Sequence, residues 1–225
     1  MIPDGKIPIA ALNCEELTQV LSLTQKFRAK QIFKWISDGA QSFEEMSNLS
    51  KEMRQNLSEK AIIFSSKITK RLVDSDGTIK LQLTLEDENC IEAVLLSDKN
   101  DRKTACISCQ VGCAMGCAFC KTGTLGFARN LTSYEIVEQF LFLENEIRKS
   151  NIDGKLDNIV FMGMGEPMLN LENIRKAISI LSDENGRNFA PRRITISTCG
   201  IINGIYDLAD NGPHVRLAIS LTTAD

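Results

Sequence analysis

Five cysteines stand within fifteen residues in "CISCQVGCAMGCAFC", positions 106 to 120. Thiols so close can form disulfides, hold zinc, carry redox chemistry or ligate an iron–sulfur cluster. Cys113, Cys117 and Cys120 follow C-x3-C-x2-C spacing, just after a strand-like stretch. Three thiolates on one loop can wrap a [4Fe–4S] cube, one per iron, which leaves the fourth iron an open coordination position. Zinc is the competing chemistry, since Cys106-x2-Cys109 and Cys117-x2-Cys120 form two CxxC pairs. Seven residues separate the pairs, short of the ~15–20 of a zinc ribbon, and Cys113 stands unused in the gap. The single histidine, His214, is distant in sequence. Cys14 and Cys199 read as packing residues, as free cysteines commonly are.

The elements that must position this loop change period along the chain. Residues 14 to 62 read as helical, with Leu17, Val20, Leu21, Phe27, Ile32, Trp35 and Ile36 at amphipathic spacing and a break near residue 24. Ser42 and Glu45 form a capping-box pattern that predicts a helix start. "KITKRLV", "TIKLQLTLED" and "CIEAVLL" then predict a small antiparallel meander, the middle strand alternating Ile79, Leu81, Leu83 and Leu85 with polar neighbours. From about residue 103, strands and helices take turns: "TACISCQ", "TSYEIVEQFLFLENEIRK" with the capping box Thr132–Glu135, "NIVFMG", "LENIRKAISILSD", "RITISTCG", "IINGIYDLAD" and "VRLAISL". Such alternation predicts an α/β fold with a parallel sheet, a (β/α) barrel or part of one, working at the carboxyl ends of its strands. Two regions are expected, an accessory part over 1–97 and the barrel part over 98–225.

Composition bounds the setting. At 225 residues, 43% hydrophobic and 24% charged, the chain suits a soluble globular protein. No apolar run approaches the ~20 residues of a membrane span, and the start lacks the shape of a secretory signal. A cytoplasmic, reducing setting without membrane contact is expected, and a monomer. Disulfides are disfavoured there. From Lys26 to Arg71, ten Lys/Arg face five Asp/Glu, a local +5 that leaves −8 elsewhere. Within it, Arg28, Lys30 and Lys34 interleave with Phe27, Phe33 and Trp35, a mixture that suits folded RNA. Aromatics at helical spacing belong more commonly to a core, so the basic side chains are the expected contacts, unless they form a solvated helix face.

The motifs together carry a resemblance. "CISCQVGCAMGCAFCKTGTLGFARNL", followed by "NIVFMGMGEPMLNLENI", "RRITISTCGI" and "LAISLTTAD", resembles the RlmN/Cfr family of radical S-adenosylmethionine methyltransferases. These enzymes act on adenosine in 23S ribosomal RNA. "FRAKQIFKWI" and "SDGTIKLQL" extend the likeness into the accessory region, from about residue 20 to 225. The resemblance implies a partial radical-SAM barrel, a [4Fe–4S] cluster held by Cys113, Cys117 and Cys120, and S-adenosylmethionine chelating the fourth iron. It also implies 23S rRNA and tRNA as partners, and a reduced flavodoxin-like or ferredoxin-like electron donor. Gly165 and Glu166 in "GMGEP" match a cofactor-contacting pair, and Ser197, Ser220, Leu221 and Thr222 match further cofactor positions. Family members usually carry histidine where Thr222 stands; a threonine can hydrogen-bond but cannot titrate near neutrality. Cys106 matches the resolving cysteine and Glu92 the proton acceptor, with a loop between them one residue longer here. Cys109 stands where serine is common and takes no role.

In the family's reaction a first S-adenosylmethionine methylates a C-terminal cysteine, and a second supplies the radical that abstracts hydrogen from that methyl group. The resulting crosslink to adenine is released by proton loss and disulfide formation with the resolving cysteine. The methyl-carrying cysteine is not among these 225 residues, and the chain stops directly after its fourth parallel strand. The expectation is therefore a fragment that binds a cluster and does not methylate RNA alone. Read without the resemblance, "GMGEP" is also a strand-ending turn, Cys106 a small buried apolar residue and Glu92 an exposed strand carboxylate. Three functions stay open: adenine-C2 methylation, C8 methylation or another radical reaction on the same scaffold, and a zinc-stabilised RNA-binding module.

Overall fold

A computed structural model describes residues 5–150 and 152–221. Its first strand, β1 (Ile7–Pro8), pairs in parallel with β2 (Ala61–Ile62), which closes the helical region lying between them in sequence. α1 (Cys14–Val20) starts at Asn13, whose side chain accepts the N–H groups of Glu15 and Glu16 while the Glu16 carboxylate accepts from the Asn13 N–H. α2 (Lys26–Ser37) follows the expected break and buries Ala29, Ile32, Phe33 and Ile36. Phe33 is core, as helical spacing predicts, but Phe27 is half exposed and the Trp35 indole N–H donates to Asn48 Oδ1 at 2.7 Å. The Ser42–Glu45 box is formed, yet it opens only a 3-10 turn over Phe43–Glu45. Met46 and Leu49 then turn into the core, and α3 (Lys51–Lys60) starts afresh with Ser50 as its cap.

β3 (Lys67–Val73), β4 (Ile79–Thr84) and β5 (Cys90–Ser97) form the antiparallel meander. β6 (Lys103–Cys106) pairs antiparallel with β5. The chain then leaves the sheet, forms a short hairpin of β7 (Gln110–Gly112) and β8 (Phe127–Asn130), and returns through β9 (Asn158–Phe161), β10 (Ile194–Thr198) and β11 (Arg216–Ile219). The strand-like run "TACISCQ" is thus two strands. Ile107 still donates to Val160 O, but the N–H groups of Cys109 and Gln110 turn to Met164 O. β6, β9, β10 and β11 are mutually parallel, and one seven-stranded sheet runs β11-β10-β9-β6-β5-β4-β3. The sheet is continuous across residue 97, so the meander extends the parallel strands edge to edge.

Burial alternates along these strands because helices cover one face only. Ala105, Ile159, Phe161, Ile194 and Ile196 are buried under α4 (Ser133–Lys149) and α5 (Leu171–Ser182), each large side chain contributing about 2 kcal/mol. α4 opens with the predicted Thr132–Glu135 box and closes on Arg148 and Lys149. α6 (Ile202–Asn211) connects β10 to β11, whose Arg216, Leu217 and Ile219 are exposed at the sheet edge. The mixed α/β fold is a partial (β/α) barrel. α5 runs back to the amino ends of the strands, and α2 packs there: a Cβ on Gly186 would lie 2.5 Å from Ser37 Oγ and 2.6 Å from the Phe33 ring. Among the described residues, no helix is long and apolar enough to cross a membrane.

Candidate functional site

Cys113, Cys117 and Cys120 lie on the 113–126 loop that joins β7 to β8. Its base is pinned by Cys113 N–H donating to Gly126 O at 2.8 Å. Gly112 has φ +73, and a Cβ there would sit 1.8 Å from Gly126 O, so the pin requires glycine. Inside the loop, Cys120 N–H donates to Cys117 O at 3.0 Å, and the turn at Thr122–Leu125 presses Gly123 onto the Cys117 backbone. All three thiols are partly exposed, rimmed by exposed Met115, Phe119 and Leu125. Burial pushes the Cys113 thiol up, and the neighbouring Cys117 and Cys120 push it further, which places the three within electrostatic reach. The loop holds no histidine or carboxylate to compete. Among the described residues, no three His, Cys, Asp or Glu side chains gather as ligands of a single ion. A cube takes one thiolate per iron, and three partly exposed thiols on one loop without a competing donor suit that chemistry.

The loops at the carboxyl ends of β9, β10 and β11 supply the other residues. Glu166 is buried, with Oε1 accepting Met168 N–H at 3.1 Å and Oε2 accepting Cys199 N–H at 2.9 Å. Gly165 has φ +106, and a Cβ there would lie 2.6 Å from Gln110 Cβ. Its glycine therefore has a packing reason besides any approach to a cofactor. The Ser197 and Ser220 hydroxyls meet at 3.1 Å, which joins two residues 23 apart in sequence. Leu221 is exposed, and Thr222 lies outside the described residues. Cys199 is not the packing residue expected: it is exposed, since β10 has ended and its N–H is taken by Glu166. Partial desolvation and then the Glu166 carboxylate push its thiol up to about 11.

Register places Cys106 and Glu92 on one face. Cys106 ends β6 opposite Val94 of β5 and Val160 of β9, and Glu92 is two residues from Val94. Among the described residues, no helix covers this face. Burial raises the Cys106 thiol above its ordinary value. Glu92 pairs with Lys80 at 2.7 Å, both half exposed. Cys109, given no role, is buried, and burial followed by Glu166 and Cys113 raises it well above the ordinary range. Cys14 is partly exposed and lines a surface cavity.

Sequence reasoning passed over Ser108 and Gln110, both fully buried. Ser108 Oγ donates to Glu92 O at 2.6 Å and accepts Met164 N–H, while Gln139 of α4 brackets its backbone. The available signal was two polar residues alternating with Cys109 and Val111 in a run where neither face is open to water. The basic segment lies elsewhere. Lys26 and Lys30 line a cavity of about 670 Å³ with Asp183 and Asn185, and Lys30 and Asn185 also line a second of about 440 Å³ with Lys34 and Trp35. Since Asp183 caps the returning end of α5, both open at the amino ends of the strands, opposite the cysteine loop.

Comparison with known proteins supplies the context. Residues 9–63 match the family described as ribosomal RNA large subunit methyltransferase N-terminal domain, and residues 107–225 match the radical SAM superfamily. A probable dual-specificity RNA methyltransferase RlmN of Treponema denticola is 59% identical over 220 residues, covering 98% of this chain and 62% of that protein. A dual-specificity RNA methyltransferase RlmN of Nitratidesulfovibrio vulgaris is 46% identical over 222 residues, covering 95% and 61%. The crystal structure of a radical SAM methyltransferase from Sphaerobacter thermophilus superposes with a TM-score of 0.90 at 38% identity, covering 96% of this chain and 63% of that one. The chain spans about 62% of the length of the curated relatives it matches.

Proposed function

The chain belongs to the radical SAM superfamily, and from that membership we propose that it serves methylation of adenosine at C2, in 23S ribosomal RNA and in transfer RNA. The observation that carries this reading is the convergence at the carboxyl ends of the strands. The cysteine loop, buried Glu166 and the Ser197–Ser220 pair meet there, with Cys106 and Glu92 on the adjoining open face. The RlmN names carried by the relatives supply the substrate class.

In this reading Cys113, Cys117 and Cys120 hold a [4Fe–4S] cluster, and Gly165, Glu166, Ser197, Ser220, Leu221 and Thr222 hold S-adenosylmethionine. Together those groups, when bound, would supply one-electron reductive cleavage of the cofactor's sulfonium and, from it, hydrogen-atom abstraction. Each Glu166 oxygen accepts one backbone N–H, which leaves lone pairs for an ammonium group of the cofactor. Cys106 offers, from its half-buried position at the end of β6, a thiol for disulfide formation with the methyl-carrying cysteine as the crosslink is released. Glu92 accepts a proton on the same face, and does so only by loosening its pairing to Lys80. The uncovered sheet face receives an extruded adenine. The Lys26–Lys34 stripe of the accessory region, 1–97, contacts phosphates beyond the barrel part, 98–225. The setting is cytoplasmic, with a flavodoxin-like or ferredoxin-like protein as reductant.

The test is anaerobic reconstitution followed by metal analysis and spectroscopy. About four irons and four sulfides per chain are expected, with an iron spectrum that shifts when S-adenosylmethionine is added. Zinc in place of iron, or a spectrum indifferent to the cofactor, overturns the reading. Mass spectrometry of adenosine methylated by the whole protein, with its methyl-carrying cysteine, checks the carbon, and a methyl group on C8 overturns that part alone.

A further inference from the structure

A closed ring of hydrogen bonds ties the cysteine hairpin to the Glu166 turn. Gln110 Oε1 accepts Glu166 N–H at 2.9 Å, and Gln110 Nε2 donates to Asn130 Oδ1 at 2.8 Å. Asn130 Nδ2 donates to Leu169 O at 2.9 Å, and Leu169 N–H donates to Glu166 O at 3.1 Å. Gln110 and Asn130 are also paired across β7 and β8, at the foot of the loop that carries Cys113, Cys117 and Cys120.

The ring has one consistent orientation. Glu166 presents a backbone donor, so Gln110 must meet it with its oxygen and turn its amide nitrogen to Asn130. Asn130 must then offer its oxygen to Gln110 and its nitrogen to the Leu169 carbonyl. A polar chain with both ends fixed by backbone groups holds its geometry where it is buried, at Gln110, because a flip there leaves a donor and an acceptor unpaired. Gln110 is fully buried, and Gly165 has no room for a Cβ against the Gln110 side chain. Asn170 adds a strap from the same turn, donating to Cys109 O at 2.7 Å and Leu131 O at 2.8 Å.

We propose that Gln110 is a positioning residue that sets Gly165 and Glu166 against the cysteine loop, so that cluster ligands and cofactor-binding residues are held as one unit. This rests on the function proposed above. It predicts separable effects: the cysteines alone load the cluster, while productive binding of S-adenosylmethionine needs the ring.

Gln110→Glu keeps the volume and breaks the ring. Its second oxygen faces Asn130 Oδ1; if Asn130 flips to answer it, its own oxygen then faces Leu169 O. Gln110→Met removes both polar ends at similar size. Two measurements are made on each variant and the wild type. The first is amide hydrogen exchange over residues 163–170 in cofactor-free protein. The second is iron content, with cofactor affinity read from the spectral shift of the reconstituted cluster.

Expected are wild-type iron content, exchange faster by about tenfold at Glu166 and Leu169, and S-adenosylmethionine binding weaker by at least about tenfold. Unchanged exchange, or unchanged cofactor affinity, overturns the proposal. Iron lost together with cofactor binding also overturns it, since Gln110 would then merely hold the hairpin folded. Should Gln110→Glu fail to fold, Asn130→Asp breaks the same chain from a less buried position and is read by the same criteria. Failure of the functional reading is distinct: wild-type protein would bind no cluster or cofactor, while the exchange measurement would still decide whether the ring exists.

Discussion

Glu138 on α4 is fully buried, no cation stands beside it among the described residues, and its carboxylate accepts from four donors. Ser65 N–H and Oγ–H reach Oε1 at 2.7 and 2.8 Å, Ser66 N–H reaches Oε2 at 3.0 Å, and Ser66 Oγ–H reaches the same oxygen. These bonds clamp the link between β2 and β3 onto the helix that also grips Ser108. Burial raises the Glu138 carboxyl from 4.5 to about 7, with the four hydrogen bonds working in the opposite direction. The folded chain therefore holds this proton more tightly than the unfolded chain does. Stability from this group is fully present below about pH 4.5 and is lost as pH rises to about 7, beyond which both states are ionised. At about 1.4 kcal/mol per pKa unit, the loss is about 3 kcal/mol. Glu138→Gln cannot ionise and lacks this dependence, although its amide meets one Ser N–H donor to donor. Urea unfolding of both proteins at pH 5, 6, 7 and 8, followed by circular dichroism, gives the difference in stability with all other titrating groups cancelled. Relative to Glu138→Gln, the wild type should lose about 2.5 kcal/mol between pH 5 and pH 8, most of it before pH 7. A difference that stays constant across that range would refute the burial argument.

The remaining predictions concern the hairpin and the basic segment. Gly112→Ala drives a Cβ into Gly126 O at a positive φ, and should cost roughly 2–4 kcal/mol and most of the iron taken up on reconstitution. Gly116→Ala, also at positive φ but with open space around it, should cost only about 1 kcal/mol, so equal losses in the two variants would count against the pin. Charge reversal of Lys30 and Lys34 together should weaken RNA binding and lower its salt dependence by about two in the log–log slope. Unchanged affinity at low salt would remove this groove from the RNA-binding surface.

What the amino-acid sequence determined by itself was local in character. Alternating and 3.6-residue periods marked the meander and the barrel strands and helices, and the Thr132–Glu135 box marked the start of α4, because periodicity and capping act within a few residues. The spacing of Cys113, Cys117 and Cys120 pointed to a cluster for the same reason, since one loop carries all three donors. Only the tertiary structure decided how separate segments meet. It turned the Ser42 box into a single 3-10 turn because Met46 and Leu49 were needed in the core. It brought Cys199 out of the interior to Glu166, joined Ser197 to Ser220, and ran one sheet through residue 97. It also set the lysine groove at the far end of the strands from the cysteines. Gln110 shows the physical reason: a buried amide has meaning only through its partners, and those partners are Asn130 and Glu166, 20 and 56 residues away along the chain.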